Sequence, residues 1–366
     1  MGYPSLSIRF LCDPHEPSLE KALAVQAKFA NSRQSLNAPD LYRSEEDLMR
    51  HADEIDLLVI ATPNHLHTDT IIRWGTRNIT ILCEKPVAVS LEQHHRLTNF
   101  MQSEDFQARV WVAMEYRYIP AVAKLLQLLP TIGDIKMVTI RENRYPFLKK
   151  IGNWNRDRGS TGDTLVEKCC HFFDLFRLIS GQEVDLPEVK AMVQRGINYE
   201  DETNEVDIPI IDSAYVMFPF KADEVTKKGG AMGCLELSMF AEGSRHQEEI
   251  VVTGTKGRVE AYLPENKVYA YHRPDNIVWK DRTVPPPEHS IKESIYDCSD
   301  VRQVHGIDNA IPTHGGYHYS STAIEWHKLI GAIASFNDTG KWHPEVKLRD
   351  GLDAVGIGLR ATESIL

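Results

Sequence analysis

The chain has little of several features that would announce a class at once. Six cysteines among 366 residues are too few for a disulfide framework, and the adjacent pair Cys169-Cys170 has neither zinc-ribbon nor redox Cys-x-x-Cys spacing. No stretch of 18 apolar residues occurs, and no basic segment leads into an apolar core at the N-terminus, so neither a membrane span nor a secretory signal is expected. A reduced, cytoplasmic setting follows from both shortages. Positive charge is also scarce: 41 Lys and Arg stand against 52 Asp and Glu, a net charge of −11. That balance argues against nucleic acid or an anionic membrane as the main partner. Internal repeats and low-complexity tracts are missing as well. What remains is 42% hydrophobic and 25% charged, an ordinary globular composition long enough for two domains.

The order of elements is informative. Residues 5–12 read as a strand closed by Asp13-Pro14, followed by a helix over 18–30 with Ser18 as N-cap and a short acidic helix over 44–52. Two apolar, β-branched runs, Ile55 to Ile60 and Ile79 to Leu82, suit strands covered on both faces. A helix-length segment, Thr68 to Arg77, separates them and completes a βαβ unit. A further helix over 91–102 and a strand over 108–118 give a doubly wound α/β pattern up to about residue 118. Beyond it, "KMVTIREN", "SAYVMFPF", "GCLELSMFAE" and "EEIVVTGTKGRVEAYL" alternate as antiparallel strands do, with Gly254-Thr255-Lys256-Gly257 as a hairpin turn. Residues 274–290 form a polar, Pro-rich excursion, and two helices close the chain. The expected domains are 1–118, a dinucleotide-type α/β domain, and 119–366, an α+β domain with a large, mainly antiparallel sheet.

The first run ends in Thr62-Pro63-Asn64 and the second in Glu84-Lys85-Pro86, at strand carboxyl ends, where such sheets bind ligands. Lys85 precedes a proline, which disfavours a helical start and keeps its side chain at the strand end. There it can hydrogen-bond a substrate hydroxyl and ease loss of its proton. A second group is Glu167, His171 and Asp174, whose spacing of four and three places them within about 60° on one helix. His171 is suited to accept a proton near neutral pH. Thr164-x-x-Glu167 is also a capping-box pattern, which would make Glu167 structural. A metal reading of His65, His67, Cys170, His171 and Glu167 lacks the three or four convergent ligands that zinc needs, and no metal is expected.

"ATPNHLH" (61–67) and "CEKPVA" (83–88), at this separation, resemble the Gfo/Idh/MocA family of NAD(P)-dependent oxidoreductases. "EYRYIP" (115–120), "GDTLVEKCCHFFD" (162–174) and the closing "GLDAVGIGLRATESI" are similar to its later signatures. The resemblance runs over nearly the whole chain. It implies hydride transfer between NAD(P) and a secondary alcohol of a sugar, cyclitol or polyol, in a homodimer or homotetramer. It makes Lys85 the catalytic lysine, with His171 as proton acceptor and Glu167 at the position of an aspartate in relatives. It also implies cofactor contacts at Thr62, Pro63, Asn64, His67, Glu84, Lys85 and Arg117.

Asp13 sits where dinucleotide folds place an acid on the ribose hydroxyls, which favours NAD, with NADP possible. The only G-x-G-x-x-A, Gly356 to Ala361, has no strand before it and too little chain after it to be the phosphate loop. The first strand and Gly-rich loop of the dinucleotide fold are therefore expected to be missing. Two rival readings differ in class: a non-catalytic sensor of dinucleotide or sugar, and an NAD-dependent glycosidase.

Overall fold

A computed structural model describes residues 6–30, 38–197, 209–222, 230–273, 292–307 and 318–365. The chain divides into two compact units, 1–58 and 59–366. In the first, β1 (Phe10–Cys12) leads into α1 (Glu16–Ala30), and β2 (Asp40–Tyr42) pairs with β1 in parallel. Then comes α2 (Glu45–Met49), N-capped by Ser44, whose hydroxyl accepts the Asp47 N–H at 3.1 Å. The start of α1 differs from expectation. Ser18 lies inside the helix, its Oγ 3.0 Å from His15 Nδ1, and Pro17 occupies an early position where its missing N–H costs nothing. A strand and a helix thus open the described chain, and the expectation of a missing first strand is not supported. The turn between them, Asp13-Pro14-His15, contains no glycine.

Next come β3 (Leu57–Ile60), α3 (His67–Gly75), β4 (Thr80–Cys83), α4 (Leu91–Met101) and β5 (Arg109–Val112), with the three strands in the order β3-β4-β5. All four residues of β4 are buried, as its unbroken apolar run predicts for a strand covered on both faces.

After a 3-10 turn at Glu115–Tyr118 follow α5 (Pro120–Leu128), β6 (Ile135–Asn143), α6 (Arg158–Thr161), α7 (Thr164–Glu167) and α8 (Cys170–Ser180). Strands β7 (Lys190–Arg195), β8 (Ile211–Pro219), β9 (Met232–Ser238), β10 (Glu248–Gly254), β11 (Gly257–Tyr262), β12 (Lys267–His272) and β13 (Lys292–Asp297) complete the sheet. The last helices are α9 (Val301–His305), α10 (Ser321–Thr339) and α11 (Leu348–Glu363). The eight strands run β13-β12-β11-β10-β6-β9-β8-β7, and only the β6–β9 pair is parallel. The β10–β11 hairpin turns where the glycines predicted it. The Pro-rich excursion lies outside the described residues.

Alternation along β8 sends Ala214, Val216 and Phe218 inward and leaves Tyr215 and Met217 exposed. Phe173 and Phe176 of α8 pack edge-on against Phe218, with centroids at 6.2 and 5.1 Å, so α8 covers the inner face. The Gly356 to Ala361 run lies within α11. A Cβ at Gly358 would stand 2.5 Å from the Leu165 carbonyl oxygen, so the glycine serves close helix packing and no phosphate. Among the described residues no helix is long and apolar enough to cross a membrane.

Candidate active site

The segments that follow β3 and β4 are stapled together. The His67 ring is fully buried, with Nδ1 2.8 Å from Pro86 O and Nε2 2.8 Å from Thr62 O. Thr68 Oγ1 donates to Val87 O at 2.8 Å, and Gln93 Nε2 donates to His65 O at 2.8 Å. His67 was expected to contact the cofactor; the structure gives it instead the task of latching the two segments, since neither ring nitrogen is left for a ligand. Burial holds its pKa below the usual imidazole value, against the pull of the two carbonyls and of Glu167.

The latch fixes Lys85 at the end of β4. Its Nζ donates to the backbone carbonyl of Glu167 at 2.8 Å and lies 3.9 Å from Glu167 Oε1. Asn64 Nδ2 donates a short hydrogen bond to Glu167 Oε2. Asn64 is buried, and one of its two amide N–H bonds is spent on the acid. The capping reading of Glu167 is overturned too. Asp163 caps α7 by accepting the Thr164 N–H at 2.8 Å, and Thr164 Oγ1 donates to Ile211 O at 2.7 Å. Burial alone would destabilise the Lys85 ammonium; Glu167, helped by the Cys170 thiol, Glu84 and Glu115, outweighs it and raises the pKa above the ordinary lysine value. Lys85 is a charged donor here.

His171 opens α8, but α7 and α8 are separate. The chain turns at Lys168-Cys169, where the Cys169 N–H donates to Thr164 O at 3.2 Å. The three groups therefore do not share one continuous helix face. The imidazole stacks on Tyr116 with centroids 4.4 Å apart and planes at 11°. Its Nδ1 is buried with no protein hydrogen-bond partner. Burial, then the charges of Lys85, Lys168, His318 and Arg144, holds its pKa well below 6.5, so it is a neutral proton acceptor. Asp174, grouped with Glu167 and His171 by spacing, is engaged elsewhere. It takes a two-pronged bond from Arg117, Nε at 2.6 Å and Nη2 at 2.5 Å, and Arg117 Nη1 donates to Glu345 O at 2.7 Å. Arg117 is thus a structural clamp, not a free cofactor contact.

Sequence reasoning missed Tyr116, Lys168 and His318, the last 3.4 Å from the Glu115 carboxylate. Tyr116 and Lys168 lay within quoted motifs; nothing local marks His318. Among the described residues no group of three or more His, Cys, Asp or Glu could hold a metal.

The residues at the strand ends suit the nicotinamide end of a dinucleotide. Thr62, after β3, and Glu84, after β4, are exposed, offering a hydroxyl and a carboxylate beyond the carboxyl ends of parallel strands, and Pro63 is half-buried. In the first unit, Asp13 Oδ1 accepts the His15 N–H at 2.8 Å. The β1–α1 turn does not fit a pyrophosphate. Pro14 and Pro17 lack N–H groups and Glu16 adds negative charge at the helix N-terminus.

Two family models match: "Oxidoreductase family, NAD-binding Rossmann fold" over residues 3–113 and "Oxidoreductase family, C-terminal alpha/beta domain" over 129–365. The first match begins at residue 3 and lends no support to a missing βα unit. The rhizopine catabolism protein MocA of Rhizobium meliloti is 27% identical over 172 residues, 46% of this chain and 52% of that protein. Inositol 2-dehydrogenase of Rhizobium meliloti is 29% identical over 139 residues, 37% of this chain and 40% of that protein. The chain thus spans about half the length of the curated relatives it matches. Levoglucosan dehydrogenase, solved with NADH and levoglucosan, shares the fold at a TM-score of 0.70 and 19% identity over 98% of this chain and 88% of that one. With its two models covering most of its length, the chain belongs to the Gfo/Idh/MocA oxidoreductase family.

Proposed function

We propose that this protein oxidises a secondary alcohol of a sugar, cyclitol or related polyol, with NAD as hydride acceptor. One observation carries the reading: Lys85 lies near enough for its charge to act on the buried His171 imidazole, and the two pKa values are pushed in opposite directions. Such a split assigns a lasting cation and a neutral base. The Lys85 ammonium steadies the developing alkoxide, His171 takes the hydroxyl proton, and Glu167 keeps Lys85 charged. The carbinol C–H leaves with its electron pair, and the carbon–oxygen bond becomes a carbonyl. NAD, when bound, supplies the hydride acceptor, and Thr62, Glu84 and Lys85 would meet its nicotinamide end; in the first unit, an acid at Asp13 after the opening strand favours NAD and disfavours the 2′-phosphate of NADP. The inositol and levoglucosan dehydrogenases among its relatives agree with the substrate class.

The same reading places the division between cofactor and substrate domains near residue 118. The solvent face of the large sheet, with Met192, Tyr215, Met217 and Met232 exposed, suits assembly into a homodimer or homotetramer. Six free thiols suit the cytoplasm.

Turnover of a polyol and sugar panel, followed by NADH absorbance, tests the reading. Lys85→Met should lower kcat by about 10²-fold or more. In the wild type the acidic limb of the pH–rate profile should lie below pH 6.5, because activity falls only as His171 becomes protonated. His171→Ala should lose that limb. Full kcat in Lys85→Met, or no NADH from any alcohol in the panel, would overturn the assignment.

A further inference from the structure

Next to His171 lies a charged cluster that the proposed reaction leaves unused. Glu142 of β6 and Glu248 of β10 stand directly opposite each other on paired strands. Like charges so placed destabilise a sheet, more so when buried, and Glu142 is 1% exposed. Lys168, from the break between α7 and α8, sits between them and Tyr116. Its Nζ is 3.0 Å from Glu142 Oε1 and 3.9 Å from Glu248 Oε1, and donates to the Tyr116 hydroxyl at 2.6 Å. That hydroxyl donates to Glu248 Oε1 at 3.0 Å. Glu142 Oε2 is buried without a donor unless Glu248 carries a proton, and burial, reinforced by Glu142, lifts Glu248 to about 7. The Lys168 ammonium also lies 4.6 Å from the centre of the Tyr116 ring on which His171 stacks.

We propose that Lys168 and the Glu142–Glu248 pair are positioning residues: they seat Tyr116 against His171 and set the pH at which its imidazole can take a proton. The inference rests on reading His171 as the proton acceptor. Other charges facing the ring are Lys85 after β4, Glu167 at the end of α7, Arg144 after β6 and His318 ahead of α10, itself paired with Glu115. On α8, Asp174 is neutralised by Arg117. Of these, Arg144 is itself paired with Glu142, Nη1 to Oε1 at 3.6 Å, so the Glu142 anion offsets both the Lys168 and the Arg144 cations near the ring. Removing the Lys168 cation makes protonation of His171 easier; removing the Glu142 anion leaves that cation with only the more distant Glu248, at 3.9 Å, and makes it harder.

The test is an NMR titration of the His171 imidazole in the full chain without cofactor or substrate, assigned by loss of the signal in His171→Asn. Lys168→Met should raise the His171 midpoint by about one pH unit, and Glu142→Gln should lower it. The double variant should return close to wild type. A merely structural role gives no such opposed pair. Midpoints that stay put, or that both move the same way, overturn the proposal. Should Lys168→Met fail to fold, Glu142→Gln decides: no downward shift refutes it. Where alcohol turnover is found, the acidic limb of kcat/KM should move with each midpoint. Opposed shifts in a protein that turns over no alcohol would sink the oxidoreductase reading and leave the charge device standing. Turnover with unmoved midpoints would do the reverse.

Discussion

Glutamine at position 167 removes one charge from the site while leaving size and an amide oxygen that Asn64 can still bond. Glu167 Oε1 lies 3.9 Å from Lys85 Nζ. At an effective dielectric constant of about 20, unit charges at that distance attract by ~4 kcal/mol, equivalent to ~3 pKa units. Some of that attraction is screened, because the Lys85 side chain is 18% exposed, and the bond to the Glu167 backbone carbonyl survives the change. A fall of about 2 units is therefore expected. Its direction follows from the balance at Lys85: Glu167 is the chief charge opposing burial, so its loss lowers the pKa. Two measurements read this. Acetylation of Lys85 as a function of pH, quantified on the peptide by mass spectrometry, gives the titration of the amine directly. The pH–rate profile should gain a basic limb below pH 10, because a neutral amine no longer steadies the alkoxide. If Lys85 titrates alike in both proteins and no basic limb appears, Glu167 does not hold the ammonium, and the split that defines the site has another cause.

Glu325, buried and accepting the Trp111 indole N–H at 3.1 Å, has its carboxyl raised by burial to about 8. The folded state therefore holds a proton that the unfolded state loses near pH 4.5, so stability declines as pH rises between these values and levels off above the higher one. Glu325→Gln should raise Tm at pH 9 and leave it nearly unchanged at pH 5; equal effects at both would refute the burial argument. A neutral imidazole has one N–H, so His67→Ala strips the donor from one of the Thr62 and Pro86 carbonyls and opens a void at a fully buried ring, and should cost about 2–4 kcal/mol in urea unfolding; a cost under ~0.5 kcal/mol would remove the latch. Gly358→Ala should destabilise by about 1–3 kcal/mol through collision with Leu165. Gly331→Ala, in α10 with nothing within 4 Å of the new Cβ, should stabilise by ~0.5–1 kcal/mol.

Local patterns sufficed for the elements that bury one or both faces. The runs ending at Ile60 and Cys83 became strands, and the glycines at 254 and 257 became a hairpin turn, because side-chain period and turn conformation are short-range properties. Lys85 was legible for the same reason, since a proline after it keeps it out of a helix. The short starting strand was legible too, but not its meaning: β1 and α1 are present, and the absence of glycine from their turn did not imply absence of the unit.

Tertiary structure alone decided which polar groups meet. Glu167 could have capped its own helix; Asn64, 103 residues away in sequence, and Lys85, 82 away, made it part of the site. Asp174 lay at helical spacing from His171, yet Arg117, 57 residues distant, took both its oxygens. His67 looked like a ligand contact until two carbonyls from separate strand ends claimed its ring. Lys168, Glu142 and Glu248 carry no local signal of their meeting, for a buried charge is tolerated only where distant chain supplies its partner. Periodicity tells a residue which way to face; only the packed fold tells it what it faces, and for this protein that set which polar groups meet at the candidate site and which hold them in place.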